Sequence, residues 1–316
     1  MIGDTMKNKK IIYILSIILI YFLSFFLSVK YYLNKEDNSV LIKTLLNNEK
    51  DNRVFTKIIS FIAHIDIKNP ITMIYNNYSV YGKSSSDDNI TVLPKNNYVK
   101  DPNPDKKIDK PIVYLYNTHQ SEQYKASSNQ NYNVKPTVMT TSYILREMLN
   151  KNNINTIVEE NDVLEFLRTN NWNYASSYKV TRMLLDDIRT KEPTLKYFID
   201  LHRDSVSKNI STINIDNKSY AKILFILGLE NKNYEKNSYF IEKINNMINS
   251  KYPGLSRGIY KKKGPGVNGV YNQDFDPNTI LIEVGGEENT IDEVYNTCMA
   301  ISIVLTEYIK GDINES

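Results

Sequence analysis

Cysteine and histidine are scarce in this chain, and its net charge is small. The single cysteine, Cys298, excludes an intramolecular disulfide framework and a cysteine-based zinc site. Only three histidines are present, His64, His119 and His202, so a histidine-based metal site has very few possible compositions. Lysine and arginine number 39 against 36 acidic residues, a net charge of +3, which gives no compositional support for nucleic-acid binding. Such mild basicity suits an anionic surface such as a membrane or cell wall. No internal repeat is evident. What the 316 residues do contain is apolar material, 41%, enough for a proper core in one large domain or two modest ones.

The apolar residues first concentrate near the start. Residues 11–29 carry no charge and, at about 19 residues, are long enough to cross a bilayer. Lys7, Lys9 and Lys10 precede the run, so residues 1–10 read as a cytoplasmic tail under the positive-inside rule. The alternative is a cleaved signal peptide. The run is long for one, however, and no small-x-small cleavage site follows it, so we expect an uncleaved, single-pass signal anchor with the remainder outside the cytoplasm. Residues 30–83 show helical periodicity in two pieces, marked by Leu41, Ile42, Leu45 and Leu46 and by Ile58, Ile59, Ile62 and Ala63. His64 lies in the second piece without an acidic or histidine partner at useful spacing, and reads as packed or surface-lying. Residues 84–110 shift to Ser, Asp, Asn, Lys and Pro, the chemistry of a polar linker.

From 111 to 310 the pattern alternates strand and helix. Strands are expected at Pro111–Tyr116, Asn155–Glu159, Leu195–Leu201 and Thr279–Val284, with a hairpin at Ile210–Ile215 and Ser219–Leu229 around Asp216-Asn217. Helices are expected at Thr137–Asn150, Tyr178–Lys191, Tyr234–Lys251 and Ile291–Ile309, the last capped by Asn289 or Thr290. The expected fold is α/β, a largely parallel sheet flanked by helices. Sites in such sheets form outside the carboxyl ends of the strands. Three polar clusters fall there: His119 and Glu122 after the first strand, Asp200, His202, Arg203 and Asp204 at the third, and Glu283 in the last.

Burying His202 or Glu283 without partners would be costly, and a shared metal site accounts for all three positions. His119, Glu122 and His202 supply the donors of a mononuclear zinc site with an open fourth position. Glu283 is then the general base, and Arg203 or Arg182 would stabilise an oxyanion or hold a substrate carboxylate. Each residue also has a structural reading. His119 would end a strand, Glu122 would be a loop acid, and His202 and Glu283 would join ion pairs. Glu287 and Glu288 favour the start of the last helix, Glu159 and Glu160 read as exposed, and Tyr114, Tyr116 and Trp172 read as packing residues.

The segments Val113–Tyr124, Ile199–Ser205 and Tyr271–Thr290 resemble stage II sporulation protein P, a family of membrane-anchored peptidoglycan hydrolases of endospore formers. The family's His-Thr-His-x-Ser-Glu-x-Tyr signature is similar to Asn117–Tyr124, and its Asp-Ile-His-Arg-Asp signature to Asp200–Asp204. Its Asn-Gln-Asp to Glu-Asn-Thr block is similar to Asn272–Thr290, and its Tyr-x-x-Ser-Tyr…Arg segment to Tyr174–Arg182. The resemblance implies a zinc-dependent N-acetylmuramoyl-L-alanine amidase fold acting on peptidoglycan, with endopeptidase activity on crosslinks. Arg182, Asn272 and Gln273 fall in its motifs as substrate-binding candidates. Implied partners in septal wall remodelling and engulfment are a lytic transglycosylase, stage II sporulation protein D, and a polytopic membrane protein, stage II sporulation protein M. Two positions depart from the pattern: Asn117 stands at the first histidine of the signature, and Asn161 where a histidine is expected after the second strand. The residues also admit a zinc carboxypeptidase that trims stem peptides. A catalytically inactive scaffold binding wall or partner proteins rests on Asn117 and Asn161 alone.

Overall fold

The structure, a computed structural model, describes residues 20, 22–24, 95, 99, 101, 103–104, 106–125 and 136–315. The expected membrane span at 11–29 therefore lies outside the described residues, apart from the helical residues 20 and 22–24. The helical region at 30–83 and His64 lie wholly outside them. Among the described residues no helix is long and apolar enough to cross a membrane.

Six strands form the main sheet: β1 (Val113–Tyr116), β2 (Thr156–Val158), β3 (Tyr197–Asp204), β6 (Ile223–Gly228), β7 (Ser256–Lys262) and β8 (Thr279–Gly286). Their order is β2-β1-β3-β8-β6-β7. The first four are mutually parallel, β6 runs antiparallel to β8, and β7 is parallel to β6. The near-continuous apolar runs of β1, β3 and β8 follow from burial on both faces. Val113 and Leu115, Ile199 and Leu201, and Ile280, Ile282 and Val284 face one way, into the main core. There they meet α1 (Val138–Lys151), α5 (Tyr234–Lys251) and α6 (Ile291–Glu315). Tyr114, Tyr116 and Phe198 point the other way, against Leu185 of α3 (Ser177–Lys191). By the same alternation Asp200, His202 and Glu283 fall on the α3 side.

Helix starts follow local chemistry. Thr137 caps α1, its hydroxyl accepting from Met139 N at 3.3 Å. At α6, Thr290 and Glu293 form a reciprocal capping box: Thr290 N donates to Glu293 Oε2 at 2.9 Å, and Glu293 N to Thr290 Oγ1 at 3.4 Å.

Several local expectations are corrected. A hairpin does turn at Asp216 and Asn217, both with positive φ, as a two-residue turn of that hand requires. Its arms, however, are only β4 (Thr212–Ile215) and β5 (Lys218–Ala221), and the second arm expected to reach Leu229 breaks at Lys222. Lys222 N donates to Ser211 O, and the chain re-enters the main sheet as β6. Helices α2 (Val163–Thr169), capped by Asp162, and α4 (Lys208–Ser211) were not foreseen because they span two turns or fewer. Edge strand β7 was not foreseen because its basic, half-exposed sequence lacks an apolar face. The polar stretch before β1 also docks on the domain: Val99 is buried with Met139 and Tyr143, and Asp101 pairs with Arg146 at 2.7 Å.

Gly228, at the end of β6, lets Gly269 and Tyr271 lie against the sheet. A Cβ there would clash with the Gly269 carbonyl. Gly228→Ala should cost about 1–3 kcal/mol by overpacking against backbone. Gly311→Ala, where a Cβ on α6 meets nothing within 4 Å, should instead stabilise by up to about 1 kcal/mol through helix propensity. Thermal denaturation of the two variants reads both signs.

Candidate metal centre

The turn after β1 carries His119 and Glu122 and is closed by Glu122 N donating to His119 O at 3.0 Å. His119 Nδ1 lies 3.3 Å from Glu122 Oε1, and His202 Nδ1 lies 3.4 Å from Glu122 Oε2. One donor atom from each of the three residues falls within 4.8 Å of the others. Among the described residues this is the one such group. The main chain fixes it on both sides. Arg203 N donates to Glu122 Oε2 at 3.0 Å, and Val138 N, opening α1, donates to Glu122 O at 3.0 Å. Tyr124 N donates to Pro136 O at 2.8 Å and Gln123 bridges Thr137, so the chain leaves this turn and returns to it at one narrow neck.

Behind the donors sits Asp200, fully buried. Its Oδ1 accepts from Thr118 N at 2.9 Å and its Oδ2 from Thr118 Oγ1 at 2.6 Å. His202 Nε2 lies 3.0 Å from Asp200 Oδ1, off the line of a good hydrogen bond. The imidazole is thus held between two carboxylates, one at each nitrogen. Burial pushes the His202 pKa down, but Asp200 and Glu122 outweigh it and hold the value well above the ordinary histidine range. Burial likewise raises the Glu122 carboxyl, yet His202, His119 and the Arg203 N–H bring it well below the usual carboxylate range. Two anions around one buried imidazole form a place where positive charge is strongly favoured. Two imidazoles and a carboxylate are a donor set that suits zinc. A carboxylate on the far nitrogen of a ligating histidine is the usual support for such a site.

Glu283 stands beside His202, paired with it in register across β3 and β8. Burial pushes its carboxyl up to about 7; His202 draws it down, Glu122 and Asp204 raise it, and Lys262 lowers it. Its Oε2 is buried without a hydrogen-bond partner among the described residues. Aromatic rings wall the donors. His119 stacks on Tyr174 at 4.8 Å and meets Tyr178 edge-on at 5.5 Å, while Tyr178 lies parallel to the His202 ring at 6.5 Å.

The remaining expected residues fall outside this group. The Arg203 guanidinium bonds Gln123 O at 3.0 Å and Asp204 O at 3.3 Å, so Arg203 reaches the cluster through its main chain. Arg182 pairs with Asp274 at 2.9 Å and with Asp186 at 3.4 Å. Asn272 donates to Tyr178 O at 2.9 Å and Thr181 Oγ1 at 3.0 Å. Gln273 is almost wholly buried, with Nε2 on Ile226 O at 2.7 Å and Oε1 accepting from Gly228 N at 2.9 Å. The side chains of Asn272 and Gln273, expected at the substrate, are spent on the protein's own backbone and on Thr181. Glu159, expected to be exposed, is buried and takes the Tyr114 hydroxyl.

A family profile described as stage II sporulation protein P (SpoIIP) matches residues 31–306. The chain belongs to the SpoIIP family. The stage II sporulation protein P of Bacillus subtilis (strain 168) is 34% identical over 217 residues, covering 67% of this chain and 54% of that protein. The chain thus matches about half the length of that SpoIIP. Among solved structures it is similar to the CwlD amidase from Clostridioides difficile in complex with the GerS lipoprotein. That likeness has a TM-score of 0.40 and 14% identity, over 63% of this chain and 98% of that one. It is also similar to Cwp6 from Clostridium difficile, with a TM-score of 0.38 and 13% identity, over 62% of this chain and 29% of that one. In this SpoIIP chain the two departures from the signature are packing positions. Asn117 donates to Leu201 O at 2.6 Å and accepts from Ser142 Oγ at 2.7 Å, tying β1 to β3 and α1. Asn161 donates to Glu159 Oε1 at 2.7 Å and is not among the clustered donors.

Gln273→Leu tests the structural assignment. It strands a buried N–H and a buried carbonyl, so denaturant unfolding should show a loss of about 2–4 kcal/mol. A substrate-contact role would leave stability unchanged.

Proposed function

We propose that this chain is a zinc-dependent N-acetylmuramoyl-L-alanine amidase that cleaves the bond between muramic acid and the stem peptide. The observation that carries the reading is the register of His202 with Glu283. It sets a partnerless carboxylate oxygen, with its pKa raised to about 7, beside a cluster of three donors. His119, Glu122 and His202 would hold a zinc ion, which would supply Lewis acidity toward the scissile carbonyl and acidify water. Glu283 takes a proton from the attacking water and delivers it to the leaving amine nitrogen. A carboxyl poised near neutrality suits both transfers. Asp200 fixes the His202 ring, and Arg203 N fixes Glu122. The scaffold alternative rested on Asn117 and Asn161, whose side chains are committed to hydrogen bonds away from the donors.

The reading extends to septal wall remodelling and engulfment, with residues 11–29 as the anchor and the catalytic domain outside the cytoplasm. Its partners would be the lytic transglycosylase and the polytopic membrane protein that the family resemblance implies. Digestion of purified peptidoglycan by the parent and by His202→Ala, followed by mass spectrometry, tests the chemistry. Free stem peptides with intact glycan, absent in the variant, are expected; stem peptides trimmed only at their C-termini would make the enzyme a carboxypeptidase instead.

Two substitutions separate the roles. Glu283→Gln should retain zinc at the parent stoichiometry while hydrolysis falls by at least about 10²-fold, since it removes a base and no ligand. Zinc loss in that variant would make Glu283 a ligand. Asp200→Asn should weaken zinc binding by about 10- to 100-fold in competition with a chelating dye, because it alters the support of a ligating histidine.

A further inference from the structure

The wall of rings around the donors continues past the metal centre. Tyr178, 5.5 Å from His119, meets Tyr271 edge-on at 5.5 Å. The ammonium of Lys262 lies 5.9 Å from the Tyr271 ring and 5.6 Å from the ring of Tyr260. The series begins at Tyr174, half exposed, and ends at Tyr260, which is 58% exposed. Both ends open to solvent and Glu283 lies between them, its carboxyl feeling the Lys262 charge. Among the described residues no carboxylate lies within ion-pair distance of Lys262, although most basic residues around the site, including Arg182, Arg257 and Lys208, have one. Its position is nonetheless fixed. Lys262 O accepts from Leu229 N at 3.0 Å. The following turn is stapled by Glu230, whose Oε1 accepts from Gly264 N at 2.8 Å and whose N–H donates to Gly269 O at 2.9 Å.

A cation held on ring faces, with no ion-pair partner among the described residues and with its charge reaching Glu283 from two strands away, is placed to take an anion from the substrate. We propose that Lys262, with Tyr260 as its outer wall, is a substrate-binding residue that holds a free carboxylate of the stem peptide. The assignment rests on the amidase reading and deepens it. Of the two parts joined at the scissile bond, the peptide is the one that carries free carboxylates, whereas the lactyl carboxyl of the sugar is already consumed in the amide. The leaving group would then extend from Glu283 along Tyr271 to Lys262, and the glycan would occupy the Tyr174 end.

The test is a binding measurement on the full chain carrying Glu283→Gln, which halts turnover and leaves the donors in place. Two probes are titrated calorimetrically: a soluble disaccharide-peptide with free carboxylates, and the same molecule with those carboxylates amidated. Adding Lys262→Met should weaken binding of the free-carboxylate probe by about tenfold, the scale of one charge-assisted hydrogen bond. Binding of the amidated probe should stay unchanged. Lys262→Arg should restore the free-carboxylate probe to within about threefold, since the positive charge is retained. Equal weakening of both probes, or none, overturns the subsite and leaves the amidase reading standing. Failure of the Glu283→Gln chain to bind either probe overturns both.

Discussion

Asp200 is the buried charge on which the rest of the site depends. One carboxylate receives the main-chain N–H and the hydroxyl of Thr118 and faces the far nitrogen of His202. It therefore joins the turn that bears His119 and Glu122 to the strand that bears His202. Thr118 passes the connection on: its hydroxyl meets that of Thr181 on α3 at 3.1 Å, and Thr181 receives the amide of Asn272. A buried ion is tolerable only when its lone pairs are used. Here they are used by the groups whose relative position sets the donor geometry. The turn, the central strand and the covering helix are positioned together or not at all.

The electrostatic arrangement is asymmetric in a useful way. On the donor side, carboxylates surround an imidazole and hold it in a state that welcomes positive charge. One strand over, Glu283 has the opposite problem, an anion in an apolar wall, and its proton affinity rises accordingly. The two carboxylates are pushed in opposite directions by their surroundings, one toward the ionised state beside the imidazoles and the other toward holding a proton. The difference comes from the sheet. Glu122 sits on a turn with access to a main-chain donor, whereas Glu283 projects from the middle of β8, near enough to Tyr178 and Tyr271 for its charge to act on both hydroxyls.

The donor cluster and Glu283 were legible in the sequence because such side chains are chemically expensive to bury and fall at strand ends. His119, Glu122, His202 and Glu283 all follow from that logic, and the structure places them together. Asp200 was visible as a charge but not as a partner, although period-two alternation along β3 puts it on the same face as His202 and would have found it. Asn272 and Gln273 were harder. Their positions within motifs drew them toward substrate, while their amides bond backbone groups of neighbouring elements and Thr181, a demand that only the fold defines. Lys262 was hidden for the converse reason: it lies on β7, a polar edge strand with no periodicity to announce it. The sheet itself read well where strands were buried on both faces, and poorly at β5 and β6, where one stretch interrupted only by Lys222 serves two sheets.

The neck at Gln123–Tyr124 and Pro136–Val138 has a consequence for how such a domain can diversify. The chain departs and returns through hydrogen bonds that also brace Glu122: Tyr124 N donates to Pro136 O, and Val138 N donates to Glu122 O. Lengthening a closed loop is cheap, roughly 0.6 kcal/mol for each doubling. Chain inserted beyond this neck can therefore change in length without moving Glu122 or the donors around it.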